Sequence, residues 1–99
     1  MVRHIVLFKL KDNSAENVSK TRDILLSMKG RVPQLKNIEV GCDFLHSPRS
    51  YDIALTVTVE DFKALDDYQN DPYHCSVVKT HMHAVRESSV AADYFVEEA

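Results

Sequence analysis

Apolar and polar residues in this chain follow two periods, an alternation of two and a recurrence of three to four, and the periods take turns. Residues 2–10 are rich in β-branched and aromatic types and predict a strand. Val6 and Phe8 fall on one parity and Ile5 and Leu7 on the other, so this strand is expected to be covered on both faces. Residues 11–14 (Lys-Asp-Asn-Ser) read as a polar turn, in which Asn13 and Glu16 have the spacing of a capping box and Ser14 is the rival cap. Val18, Thr21, Leu25, Met28 and Val32 then recur on one helical face, which predicts an amphipathic helix over about 15–30, stopped by Gly30 and Pro33.

Alternation returns over residues 36–45, where Ile38, Val40, Cys42 and Phe44 oppose Glu39, Gly41 and Asp43. After a turn at His46-Ser47-Pro48-Arg49-Ser50 it resumes over 51–59, as the hairpin partner of the strand before it. Phe62, Leu65 and Tyr68 place a short helix between Asp61 and Asn70. Asp71-Pro72 starts another, because aspartate caps and proline suits the first turn, with Cys75, Val78, Met82 and Val85 as its apolar face. Residues 88–96 predict a last strand with Val90, Ala92, Tyr94 and Val96 on one parity, and the Glu97-Glu98-Ala99 tail is expected to fray.

The order β-α-β-β-α-β, with the second helix broken at Pro72, is the ferredoxin-like α+β plan, a four-stranded antiparallel sheet under two helices. Helices cover only one face of such a sheet. The other should be polar if it met water, yet the first strand carries Ile5 and Leu7 opposite Val6 and Phe8, and the last carries apolar residues on both parities. Burial is worth about 25 cal/mol per Å² of apolar surface, so a second copy packed sheet to sheet is the economical cover.

Ninety-nine residues make one domain, taken as residues 1–97, with a core modest enough that a second subunit would help. Twelve Lys+Arg against fifteen Asp+Glu leave a net charge of −3, which argues against a nucleic-acid partner. The first nine residues do not form a signal peptide and no run is long enough for a membrane helix, so a cytoplasmic protein is the expectation. Cys42 and Cys75 are too sparse for a disulfide scaffold and are expected to be reduced and largely buried. With only Gly30 and Gly41, a glycine-rich phosphate loop is excluded. Arg3, Lys9 and Lys11 read as a basic patch on a solvated strand edge.

Five segments in register then carry a resemblance: His4-Ile5-Val6-Leu7-Phe8-Lys9, Ile38-Glu39-Val40-Gly41, Tyr51-Asp52-Ile53-Ala54-Leu55, Tyr68-Gln69-Asn70-Asp71-Pro72-Tyr73-His74 and Val90-Ala91-Ala92-Asp93-Tyr94. Over essentially the whole chain the sequence resembles the stress-responsive dimeric α/β-barrel (Dabb) domain family. The resemblance implies two ferredoxin-like protomers whose sheets form a shared barrel. It implies little about activity, except that a plant polyketide-cyclase branch uses a helix histidine as base and a tyrosine before the Pro-x-His turn. Those positions are His74 and Tyr68 here, while His4 and Asp93 match the strand-one histidine and strand-four aspartate of the pattern.

His74 would be a neutral base near pH 7, and the positive end of a helix would favour its neutral form. It could take a proton alpha to a carbonyl while Tyr68 polarises the oxygen. The bland reading has His74 bracing the turn and Tyr68 packing beneath it. The first helix offers Thr21, Leu25 and Met28 where the cyclase branch carries extra polar groups, so binding ranks ahead of catalysis. His4 reads as a core histidine paired with Asp93 or a carbonyl, or else as pocket lining; His46 reads as a solvated loop residue. His81 and His83 point in nearly opposed directions, and His74 and His81 are two turns apart, about 10 Å, too far to share a metal.

The sequence thus favours a small homodimeric stress-response A/B barrel protein that binds a small apolar or aromatic ligand. The expected pocket comprises His4, Phe8, Leu25, Met28 and Asp93, and no metal or cofactor is called for. The alternative is a cofactor-independent enzyme, cyclase- or lyase-like through His74 and Tyr68, or monooxygenase-like by fold analogy alone.

Overall fold

The computed structural model describes residues 1–97; Glu98 and Ala99, and with them the end of the expected frayed tail, lie outside the described residues. The elements run β1 (Val2–Leu10), α1 (Ala15–Leu26), β2 (Asn37–Cys42), β3 (Ile53–Val59), α2 (Phe62–Gln69), a π-helical segment (His74–Lys79), α3 (Thr80–Val85) and β4 (Arg86–Phe95). All strand pairs are antiparallel and the sheet order is β2-β3-β1-β4. This is the ferredoxin-like α+β arrangement expected from the alternating periods.

The alternation sets the two faces. Val2, His4, Phe8 and Leu10 of β1 and Ile53, Leu55, Val57 and Val59 of β3 are buried on the helix side. They pack with Leu25, Met28, Tyr68, Val78 and Met82 from the helical layer. Outer-face neighbours follow from the register: Ile5 faces Thr56 and Ala92, and Leu7 faces Ala54 and Val90. The outer face stays partly open, with Val90 at 48% and Tyr94 at 42% of full exposure.

Several boundaries differ from the expectation. Ser14, not Asn13, caps α1, accepting from the Asn17 amide at 3.4 Å; Asn13 instead donates to Asp52 at 3.1 Å. Helix α1 ends at Leu26, and residues 27–32 continue as tight turns that Gly30 completes with φ +82°. That left-handed conformation suits a residue without a Cβ. Strand β2 stops at Cys42, which leaves Phe44 outside the alternation at 89% exposure. Strand β3 begins at Ile53, and just before it the buried carboxylate of Asp52 accepts from the Leu10 amide at 2.7 Å. Phe62, expected on the inner face of α2, is exposed, since Asp61 caps the helix and only its later turn reaches the core.

Both cysteines are exposed, contrary to the expectation. Cys42 has the inward parity but sits at the end of an edge strand. Cys75 is displaced by the π-helical turn, which swings His74 inward in its place. The expected solvated edge at Lys9 is also corrected: β1 is an interior strand, and Lys9 lies over the Tyr51 ring, 5.3 Å from its centre.

Candidate functional site

The second helical region sets the site. Asp71 caps its start, its Oδ1 accepting from the Tyr73 amide at 2.8 Å and the His74 amide at 3.2 Å. An ordinary α-helix from Pro72 would put Cys75, Val78, Met82 and Val85 in one stripe. The wider π-helical turn over His74–Lys79 changes the phase, so that His74, Val78 and Met82 are buried together. Such single π turns frequently coincide with functional sites.

His74 is fixed at one ring nitrogen. Its Nδ1 lies 2.9 Å from the Tyr68 carbonyl oxygen. A carbonyl can only accept, so Nδ1 carries the proton and a neutral ring keeps its lone pair at Nε2. Burial lowers the His74 pKa below its usual value, and the Lys79 charge acts in the same direction against the opposing carbonyl bond. The ring stacks on Tyr68 with centres 4.2 Å apart and planes 20° from parallel.

Tyr68 is fully buried. Its hydroxyl has Met28 Sδ as partner at 3.9 Å, and burial pushes its phenol pKa upward. The geometry gives Tyr68 the role of a stacking surface and directs its hydroxyl to Met28. On its other side Tyr68 meets His4 edge-on, centres 6.0 Å apart. His4 Nδ1 hydrogen-bonds Asp93 Oδ1, its direct cross-strand neighbour, while the His4 residue stays buried. A carboxylate partner makes that nitrogen the donor, so neutral His4 also keeps its lone pair at Nε2.

These groups border a cavity of about 410 Å³ between the sheet and the helical layer. Phe8, Val6 and Leu55 of the sheet and Leu25, Val78 and Met82 of the helical layer are its apolar walls, and His4, Tyr68 and His74 lie among them. Of the residues expected from sequence, His4, Phe8, Leu25, Tyr68 and His74 line it directly. Met28 lies behind Tyr68 and Asp93 behind His4, so these two support the wall and do not line it.

Sequence reasoning missed Lys79, His83 and Arg86, which also line the cavity. Their signal was the helical spacing of Lys79 and His83 together with Arg86 at the first position of β4. His81 is turned the other way, to Thr21 of α1, whose Oγ1 is 2.9 Å from its Nε2; burial lowers its pKa. His46 is an exposed loop residue, its amide donating to Asp43 at 2.7 Å.

A sequence profile of the stress responsive A/B barrel domain family (Dabb) matches residues 2–96. This chain is a Dabb protein. An uncharacterized Streptomyces coelicolor protein is 30% identical to it over 77 residues, 75% of this chain and 79% of that one. Among solved structures, a dimeric ferredoxin-like protein of unknown function from Thermobifida fusca superposes with TM-score 0.82 at 24% identity, covering 96% of this chain and 90% of that one. A hydroxynitrile lyase from Passiflora edulis superposes on the Dabb chain with TM-score 0.80 at 19% identity, covering 99% and 94%. At these identities the structural likenesses establish a shared fold. No helix among the described residues is long and apolar enough to cross a membrane.

Proposed function

We propose that this Dabb protein works as a homodimer, joined through the outer sheet faces, whose protomers each bind a small apolar or aromatic molecule. The observation that carries the ligand reading is the cavity of about 410 Å³, walled by apolar side chains around two ring-fixed histidines. That volume is in the range of small-molecule sites, which combine apolar walls with a few fixed polar groups. The dimeric Thermobifida fusca neighbour and the apolar outer face around Ile5, Leu7 and Val90 support the assembly.

A second reading, proton transfer, draws on the tautomer of His74. Nε2 could take a proton from the hydroxyl of a bound alcohol or from a carbon beside a carbonyl. In a lyase of the kind named for the Passiflora neighbour, deprotonating a hydroxynitrile forms the carbonyl, and cyanide leaves with the electron pair of the breaking C–C bond. Neither reading needs the Tyr68 hydroxyl.

Thermal denaturation with a panel of phenols, lactones and quinols tests the pocket. A ligand at 100 times its Kd raises stability by about 2.7 kcal/mol. His74→Asn is the informative variant, because its side-chain amide can still donate to the Tyr68 carbonyl. A ligand shift diminished in His74→Asn at unchanged basal stability supports the site. An unshifted melting curve across the panel would sink it. Release of cyanide from aromatic hydroxynitriles, abolished in His74→Asn, would establish the second reading.

A further inference from the structure

The cavity is apolar inside, but the permanently charged residues of its lining, Lys79 and Arg86, have one sign. Lys79, His83 and Arg86 follow one another at intervals of four and three residues and all line it. Among the described residues no aspartate or glutamate lines it. Lys79 Nζ donates to the Gln69 carbonyl at 2.7 Å, and Arg86 Nη1 donates to Ser89 Oγ at 3.2 Å. Among the described residues neither cation forms a salt bridge with a carboxylate, although the protein carries more acidic than basic residues. Both are only partly exposed, so their charges sit where solvent screening is reduced. Gln69 and Ser89 are themselves lining residues, so the two hydrogen bonds hold both cations at the cavity.

We infer that the ligand of this cavity is a small organic carboxylate, its apolar or aromatic body between Phe8, Leu55, Val78 and Met82 and its carboxylate at Lys79 and Arg86. The inference rests on the proposed ligand-binding function and adds the chemical class of the ligand. An arginine presents paired donors suited to a carboxylate, and a lysine adds a point charge beside it. A neutral ligand would leave both charges unmatched at the edge of an apolar cavity. His74, deeper along the same wall, would then face the body of the ligand and not its charged end.

The test compares naphthalene-2-carboxylate with naphthalene-2-carboxamide, which differ in charge and hardly in shape, by calorimetric titration at low ionic strength. The wild-type protein should bind the carboxylate at least about tenfold more tightly, the size expected of charge-assisted hydrogen bonds. Lys79→Gln with Arg86→Gln should remove that preference by weakening the carboxylate at least about tenfold more than the amide, and continued amide binding reports an intact pocket. Equal affinities in the wild-type protein overturn the carboxylate assignment while leaving the ligand-binding function standing. A preference that survives in the double variant overturns the assignment to Lys79 and Arg86. Failure of both probes to bind overturns the ligand-binding function and this inference together. The wild-type comparison stands alone should the double variant fail to fold.

Discussion

Both faces of the one sheet carry large apolar side chains, and these end in different environments. On the helix side, Ile53, Leu55, Val57 and Val59 are all but inaccessible, and the layer above contributes Leu25, Tyr68, Val78 and Met82. On the outer side Ile5, Leu7, Val90 and Tyr94 are as apolar yet remain partly open to solvent. The inner face is also interrupted where the outer is not: two histidines, fixed by Asp93 and by the Tyr68 carbonyl, stand around a cavity. A closed layer can hold polar groups in defined tautomers because each has a partner there. The apolar part of the outer face, around Ile5, Leu7, Val90 and Tyr94, suits contact with another surface.

Removing side chains from each face should separate these roles. Leu25→Ala, at a fully buried inner site, should cost about 3 kcal/mol in denaturant unfolding, as transfer and cavity costs add. Leu7→Asp, on the outer face, should leave the secondary structure intact by circular dichroism but raise the dimer dissociation constant by about a hundredfold in sedimentation equilibrium, because a carboxylate would be buried without a partner. A small effect at Leu7 would mean that the outer face meets water.

Asp52 sits at the entry of β3 and joins the end of β1 to the turn before α1. Asp52→Ala leaves the Leu10 amide unsatisfied, and about 2 kcal/mol should be lost on chemical unfolding. Ser14→Ala should cost less, about 1 kcal/mol, as the loss of a helix cap.

The smallest effect expected is pH dependence on the inner side. In the unfolded chain an imidazole titrates near 6.5, whereas burial holds His74 and His81 below that value in the folded protein. The unfolded state therefore binds more protons as pH falls below 6.5, and stability that is complete above this pH declines through the window beneath it. Melting temperatures measured across that range should show the decline, and His74→Asn should flatten it.

Much of the fold was legible because its signals are local. Alternation at β1 and β3, the helical stripe through Val18, Thr21 and Leu25, and the cap at Asp71 each lie within a few residues. The outer-face argument also came from parity, since Ile5 and Leu7 must oppose Val6 and Phe8 on any strand. Errors gathered where periods break. Phe44 continues the alternation of β2 in the sequence, but the strand ends two residues earlier. Cys75 fits an α-helical stripe, but a π-helical turn puts His74 there instead.

From sequence alone came the order of strands and helices, the family pattern and the pairing of His4 with Asp93 as one possibility. Tertiary structure decided the rest: that Tyr68 directs its hydroxyl to Met28, that Met28 and Asp93 support the cavity from behind, and that Lys79 and Arg86 line it. The physical reason is range. Side-chain periodicity is dictated by the backbone within one element, whereas a cavity and the partners of its polar atoms depend on residues distant in the chain, 89 positions for His4 and Asp93, brought together only when the layers close.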